Sequence, residues 1–293
     1  MIRMYERKLV TDMCERIYER WKAMKATVVV DNIKNNEIPG EWGLCIYIEY
    51  GDKKILLDTG ASSLFAKNAE KLDISLEDVD MAVLSHAHYD HANGMEEFFK
   101  INSKAKFYLR NGCAENCYGR KWIFSKYIGL PKGILKNYSD RIEFASGDVQ
   151  IADGIWIIGH KTEHLDLIGK REKMYQKRNH RWYPDDFSHE QSLVFETERG
   201  LVVFNSCSHG GAANIIREVA QTFPEKKVYA LIGGFHVFNK TEAEVRELAN
   251  KIKDTGIEYV CTGHCTGKHA FGVLKEELGD MLHQLKVGLQ MEF

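Results

Sequence analysis

Three histidines and an aspartate fall within six consecutive residues, His86-Ala87-His88-Tyr89-Asp90-His91, directly after Ser85. Imidazole nitrogens and carboxylate oxygens at this density are the lone pairs a divalent metal ion uses as ligands. Residues 81–85 before the run are apolar and short, as in a buried strand. His86 and His88 therefore follow a strand end, where alternating backbone sends both side chains to one side; a helix would put residues two apart on different faces. Asp90 and His91 are then expected in a loop, ahead of a helix over 95–100. The spacing predicts two ligands for one ion and two for a neighbour.

The rest of the chain can be arranged around that run. An apolar stripe of Leu9, Met13, Ile17, Trp21 and Met24 predicts an amphipathic helix over 5–26, which either packs on the body or joins copies into a homo-oligomer. Strands are expected over 27–30, 44–49 and 53–57, the last two joined at Gly51-Asp52 as a hairpin. Ser62 or Ser63 can cap a helix running to 72. After a strand at 106–109, residues 111–138 look loop-rich. Cys113 and Cys117 have the spacing of half a zinc finger, but no second Cys or His pair follows at finger-like spacing, so they are assigned to loop packing. Strands over 141–144, 149–151 and 155–158 are separated by tight turns, and 159–190 is polar and loop-like. Loops of that length are commonly functional.

After strands at 192–197 and 201–205, one pattern recurs three times: strand, Gly-containing turn with a histidine, then a helix or further strand. The histidines are His209, His236 and His264. In α/β sheets, ligand chemistry gathers beyond the carboxyl ends of strands, which would bring all three to the rim of His86–His91. No linker or repeat divides residues 26–293, which are expected to form a single domain with inserted loops at about 111–138 and 159–190.

Composition excludes some partners. Lys and Arg total 40 against 42 Asp and Glu, a net charge of −2, which gives no electrostatic case for nucleic acid. No apolar run approaches the ~20 residues of a membrane span, and the first residues lack a signal-peptide core. A cytoplasmic protein with no membrane partner is expected. The seven cysteines form an odd, scattered set, which suits reduced thiols.

Leu57-Asp58-Thr59-Gly60, then the His-x-His-x-Asp-His run, then isolated histidines after strand ends together resemble the metallo-β-lactamase superfamily. Cys207-Ser208-His209, Gly233-Gly234-Phe235-His236 and His264-Cys265-Thr266-Gly267 are similar to its 7,8-dihydropterin-6-ylmethyl-4-(β-D-ribofuranosyl)aminobenzene 5′-phosphate synthase-like branch. The resemblance implies an α/β (α+β) fold, the four-layer αββα sandwich, and a site for one or two divalent metal ions. Zinc comes first, with iron, manganese or nickel as alternatives.

Carried over by position, His86 and His88 would bind one ion and Asp90 and His91 the other. His209 and His264 would complete the shells, with Asp58 orienting ligands from behind and His236 contacting substrate or donating a proton. A hydrolase using a metal-bound hydroxide follows, acting on a phosphate ester or a related ester or lactone. Alternatives are a nuclease or phosphodiesterase, an iron-dependent redox member of the same fold, and a non-catalytic metal-binding protein. The chain departs from the pattern at Cys207, where many members place a bridging Asp, and at Ser206, where the branch has Gly. It departs again at Gly159-His160-Lys161-Thr162, where the branch has Gly-Glu-Ile-Pro. Cys207, His160 and His164 are therefore candidate additional ligands. Basic residues between 170 and 181, with Tyr175 and Trp182 beside them, suggest that Arg178, Arg181 and Trp182 hold a small anionic substrate.

Overall fold

A computed structural model describes residues 23–293. Most of the helix expected over 5–26, and with it the expected contact between copies, lies outside the described residues. Its last positions are strand instead: β1 is Met24–Val30, with Met24 opposite Tyr50 and Ala26 opposite Ile48. Pairing on both edges, with β2 and the C-terminal β18, gives these residues hydrogen bonds a helix end would lack.

The chain continues through β2 (Cys45–Tyr50), β3 (Lys53–Leu57), α1 (Leu64–Lys71), β4 (Met81–Val83), α2 (Tyr89–Ala92), α3 (Met95–Ile101) and β5 (Lys106–Arg110). Next come β6 (Cys117–Lys121), β7 (Phe124–Tyr127), α4 (Ile134–Asn137), β8 (Ile142–Ala145), β9 (Val149–Ala152), β10 (Ile155–Gly159), α5 (Leu165–Glu172), β11 (Met174–Arg178) and β12 (Arg181–Pro184). The last part is β13 (Gln191–Thr197), β14 (Gly200–Phe204), α6 (Ala212–Thr222), β15 (Val228–Gly233), α7 (Glu242–Lys253), β16 (Tyr259–Thr262), α8 (Lys268–Leu278), β17 (Leu282–Gln284) and β18 (Gln290–Glu292).

Two seven-stranded sheets, ordered β18-β1-β2-β3-β4-β5-β8 and β17-β16-β15-β14-β13-β10-β9, pack face to face. Strict alternation builds this sandwich. Ile46, Ile48, Ile55, Leu57, Met81 and Val83 of one sheet meet Phe195, Val202, Phe204 and Ile232 of the other in the central core. Their neighbours Cys45, Tyr47, Leu56 and Ala82 face the opposite way, onto Phe65 of α1 and Phe98 of α3. Leu201, Val203, Leu231 and Val260 likewise back onto α6, α7 and α8. The layers are helix, sheet, sheet, helix, and among the described residues no helix is long and apolar enough to cross a membrane.

β3, β4, β5 and β8 run parallel, as do β14 to β17. Parallel neighbours end at the same rim, so the turns after β3, β4, β14, β15 and β16 gather there. Gly233 lets the ends of β14 and β15 approach. It sits at φ 143°, and a Cβ there would lie 1.9 Å from the Asn205 carbonyl oxygen. Only glycine allows both the angle and the contact.

The two long segments expected as inserted loops are not structureless. β6 and β7 from the first join β11 and β12 from the second in a separate four-stranded sheet ordered β12-β11-β6-β7. Tyr118 packs edge-on against Trp182, and Arg120 lies over the same indole.

Candidate metal centre

Asp58 closes β3 at φ 60°, a left-handed backbone angle that costs a non-glycine residue energy and is found where a side chain must be aimed. Its carboxylate is fully buried. Oδ1 accepts from Ser85 N–H (2.7 Å), while Oδ2 accepts from the hydroxyls of Ser85 (2.8 Å) and Ser206 (2.6 Å) and faces His91 Nδ1 at 2.8 Å. A carboxylate accepts only, so the His91 proton is on Nδ1 and Nε2 is bare. Ser85 Oγ, having given its proton to Asp58, accepts from His86 Nδ1 (2.8 Å), which leaves His86 Nε2 bare as well. Asp90 and His91 lie in the short helix α2 rather than a loop. The helical turn brings the carbonyl of His91 to Thr59 N–H (2.8 Å), locking the run onto the turn after β3.

Three more turns complete the cluster. Ser208, His236 and His264 follow β14, β15 and β16 at φ 50°, 49° and 45°, the same strained region as Asp58. Asp31 Oδ2 accepts the His264 N–H (3.0 Å), and Asn32 Oδ1 takes Nδ1 of the ring (3.0 Å). His264 Nε2 then points at His91 Nε2, 3.2 Å away, and at Asp90 Oδ2, 3.5 Å away. Two ring nitrogens that have both spent their protons elsewhere cannot bond to each other, so the gap between them suits a shared cation. Burial works against a charged His264, but Cys265, Asp90 and Asp31 outweigh it and raise the ring to about 9.

The donors fall into two sets. His86, His88 and His209 bring ligand atoms within 4.8 Å of one another. Asp90, His91 and His264 form the other, Asp90 Oδ2 standing 3.7 Å from His91 Nε2. Cys207 joins them: its sulfur is 3.3 Å from His91 Nε2, and it groups with His86 and His91, with His209 and His236, and with His264 and Cys265. Cys265 Sγ lies 3.4 Å from Cys207 Sγ and accepts the His236 N–H at 3.3 Å. Burial alone would raise the Cys265 thiol; the bond from Cys207 and the charges of His264 and His236 hold it well below its usual range.

Burial, with the crowding of like rings, keeps His86 and His209 well below the ordinary imidazole range and takes His88 down to about 3. These rings are neutral at pH 7, the form that binds metal. Nε2 of His86 and His88, both nitrogens of His209 and Nδ1 of His236 are buried without a hydrogen-bond partner. Orphaned lone pairs at this density are what a divalent ion satisfies, so the residues fit one or two such ions.

His160 stands outside the cluster. Nε2 meets Glu190 at 2.9 Å and Nδ1 meets Glu218 at 3.1 Å, so neither nitrogen is free for a metal. Glu190 in turn accepts the His209 N–H (3.2 Å), which makes His160 a support for that turn. His164 is exposed beside α5. Arg178 is held by Gln176 and Asp186, Arg181 is exposed at the β11–β12 turn, and Trp182 is packed in the small sheet. None of these three is among the residues lining the two cavities described next. A cavity of about 310 Å³ beside His209 and His236 is instead lined by Arg171, Lys240 and Lys251 with Glu172, Glu244 and Glu247. An apolar one of about 400 Å³ adjoins His264, walled by Ile33, Trp42 and Phe271.

Asp31, Asn32, Glu190 and Cys265 carry no local pattern that would mark them in advance. Cys265 alone stood beside a named histidine, in His264-Cys265-Thr266-Gly267, and that adjacency was the available signal.

A family model described as the metallo-beta-lactamase superfamily matches residues 43–211. The chain is 28% identical over 290 residues to the 7,8-dihydropterin-6-methyl-4-(beta-D-ribofuranosyl)-aminobenzene-5′-phosphate synthase of Methanocaldococcus jannaschii, covering 90% of this chain and 98% of that one. It superposes with a TM-score of 0.79 and 28% identity on Tm1679, a solved metal-dependent hydrolase of the beta-lactamase superfamily, covering 92% and 99% of the two chains. YhfI of Bacillus subtilis, a metallo-beta-lactamase fold protein, shares the fold with a TM-score of 0.58 at 14% identity, covering 93% and 100%.

Proposed function

This chain belongs to the metallo-β-lactamase superfamily, and from that premise we propose that it is a metal-dependent hydrolase of a small phosphate ester that carries a ring. The observation that carries the proposal is the meeting of two donor sets at Cys207. In this reading His86, His88 and His209 would hold one divalent ion and Asp90, His91 and His264 a second, with the Cys207 sulfur close to donors of both sets. Bound ions supply Lewis acidity: they activate a water and polarise the scissile phosphoryl group.

The chain's own residues do the rest. Asp58 keeps the His91 proton on Nδ1, and Ser85 does the same for His86, so each ring presents Nε2 to the centre. Phe187 stacks beneath His209 with centroids 4.5 Å apart and planes at 6°, closing that side to water. His236, its Nδ1 without a partner and its ring 4.4 Å from that of His209, is placed to hold or deliver a proton to the leaving oxygen. Glu172 now lies between Arg171 and Lys240, and the substrate's phosphate would take its place. The Trp42 and Phe271 cavity beside His264 suits the ring.

The name of the M. jannaschii relative supports a substrate with both a ring and a phosphate, and also a second reading, in which the chain joins two such molecules instead of hydrolysing one. Purified protein assayed on aryl phosphates, alkyl phosphates, phosphodiesters and DNA separates these. Phosphate release from the aryl esters, lost on chelation and in His88→Ala, is expected. Activity that survives both treatments would overturn the metal mechanism, and coupling without phosphate release would favour the synthase.

A further inference from the structure

We propose that Cys117, Asp185 and His189 form an additional metal site, buried beside His88 and separate from the two donor sets above, which takes a zinc-like divalent ion. The ligand atoms of His88, Cys117, Asp185 and His189 all lie within 4.8 Å of one another, and all four side chains are buried. Thiolate, carboxylate and imidazole together make a borderline-soft set that suits zinc, and a set closed from solvent is the form of a structural site. Ligands on a tetrahedral zinc ion stand about 3.3–3.8 Å apart, given bonds of about 2.0–2.3 Å. His189 Nε2 and Asp185 Oδ2 are already 3.2 Å apart.

The outer contacts leave the required atoms free. Asp185 Oδ1 is taken by Gln176 Nε2 (2.8 Å) and Phe187 N–H (2.9 Å), which aims Oδ2 at the site. Cys117 Sγ makes a long 3.9 Å contact to Asn116 Oδ1 and also faces the His189 ring. Cys113, four residues before Cys117, donates to the His189 carbonyl oxygen at 3.5 Å and so braces the loop rather than joining the set. The partner pair missing after Cys113-x-x-x-Cys117 is thus Asp185-x-x-x-His189, brought in from the far insertion.

Without an ion, protons close the same atoms. His189 Nδ1 accepts the Ala87 N–H at 3.2 Å, which puts the ring proton on Nε2, facing Asp185. Loading releases the thiol proton to solvent and shifts the single ring proton of His189 from Nε2 to Nδ1, which gives up its bond from the Ala87 N–H. The ion would tie β6 of the small sheet to the segment before β13.

The test uses the full chain loaded with zinc or cobalt. Cys117→Ala and His189→Ala should each lower the bound metal by about one ion per chain, with Cys117→His restoring it. Cys117→Ala should also remove part of the near-ultraviolet thiolate-to-cobalt absorption, leaving the part owed to Cys207 and Cys265. Equal metal content and identical cobalt spectra in all three variants would overturn the proposal and leave a hydrogen-bonded network. Should the variants not fold, anomalous scattering on zinc-loaded wild-type crystals decides: a peak within bonding distance of Cys117 Sγ supports the site, and no peak there refutes it.

Discussion

Asp58 Oδ2 accepts from two serine hydroxyls and faces His91 Nδ1, so neutralising it acts on a ring rather than on any substrate. In Asp58→Asn the amide can present a donor to Nδ1, and the His91 proton then moves to Nε2, where a metal must bind. Metal affinity should fall about 10–100-fold with the fold intact, measured by chelator competition. An unchanged affinity would show that the carboxylate does not set the tautomer. That these histidines come together is legible from sequence because the main run is local and the later ones each follow a strand. The residues that hold them are not. Asn32 and His264 are 232 positions apart, Ser206 and Asp58 148, and no spacing rule links such pairs.

Elements are pinned to one another as well as packed. His160 follows β10, Glu218 lies on α6 and Glu190 precedes β13, so one imidazole joins three elements. Burial opposes its charge, but Glu190 and Glu218 outweigh this and raise it from 6.5 to about 10. A raised folded-state value means that the stabilisation is complete below pH 6.5 and is lost as pH rises through about 10. Wild type should therefore lose more stability between pH 7 and 10 than His160→Gln, by denaturant titration at each pH. Parallel slopes would exclude the charged pin. Most strands of the two large sheets are legible in the sequence within a residue or two because their apolar alternation is strong, while β1 starts three residues earlier than expected. The small sheet is not. In β11 the one fully buried side chain is the polar Gln176, and β6 buries only Cys117, so no period-two signal marks either strand.

For the molecule as a whole, three apolar cores hold the layers together, and of the residues named above as metal ligands only Cys117 lies in one of them. Chelation should leave the far-ultraviolet circular dichroism unchanged while lowering the melting temperature, since an ion at 100–1,000 times its dissociation constant adds about 3–4 kcal/mol. Collapse of the secondary structure on chelation would mean that the ions build the fold instead of occupying it. The four-stranded sheet has a consequence for how the chain is made. β6 and β7 leave the ribosome some fifty residues before β11 and β12, a delay of several seconds at about 5–20 residues per second. During that interval the β6–β7 hairpin must wait with the Cys117 thiol, buried in the finished fold, uncovered, and a two-stranded ribbon alone is marginal in water. Synthesis therefore has a vulnerable window, which closes when Asp185 and His189 arrive.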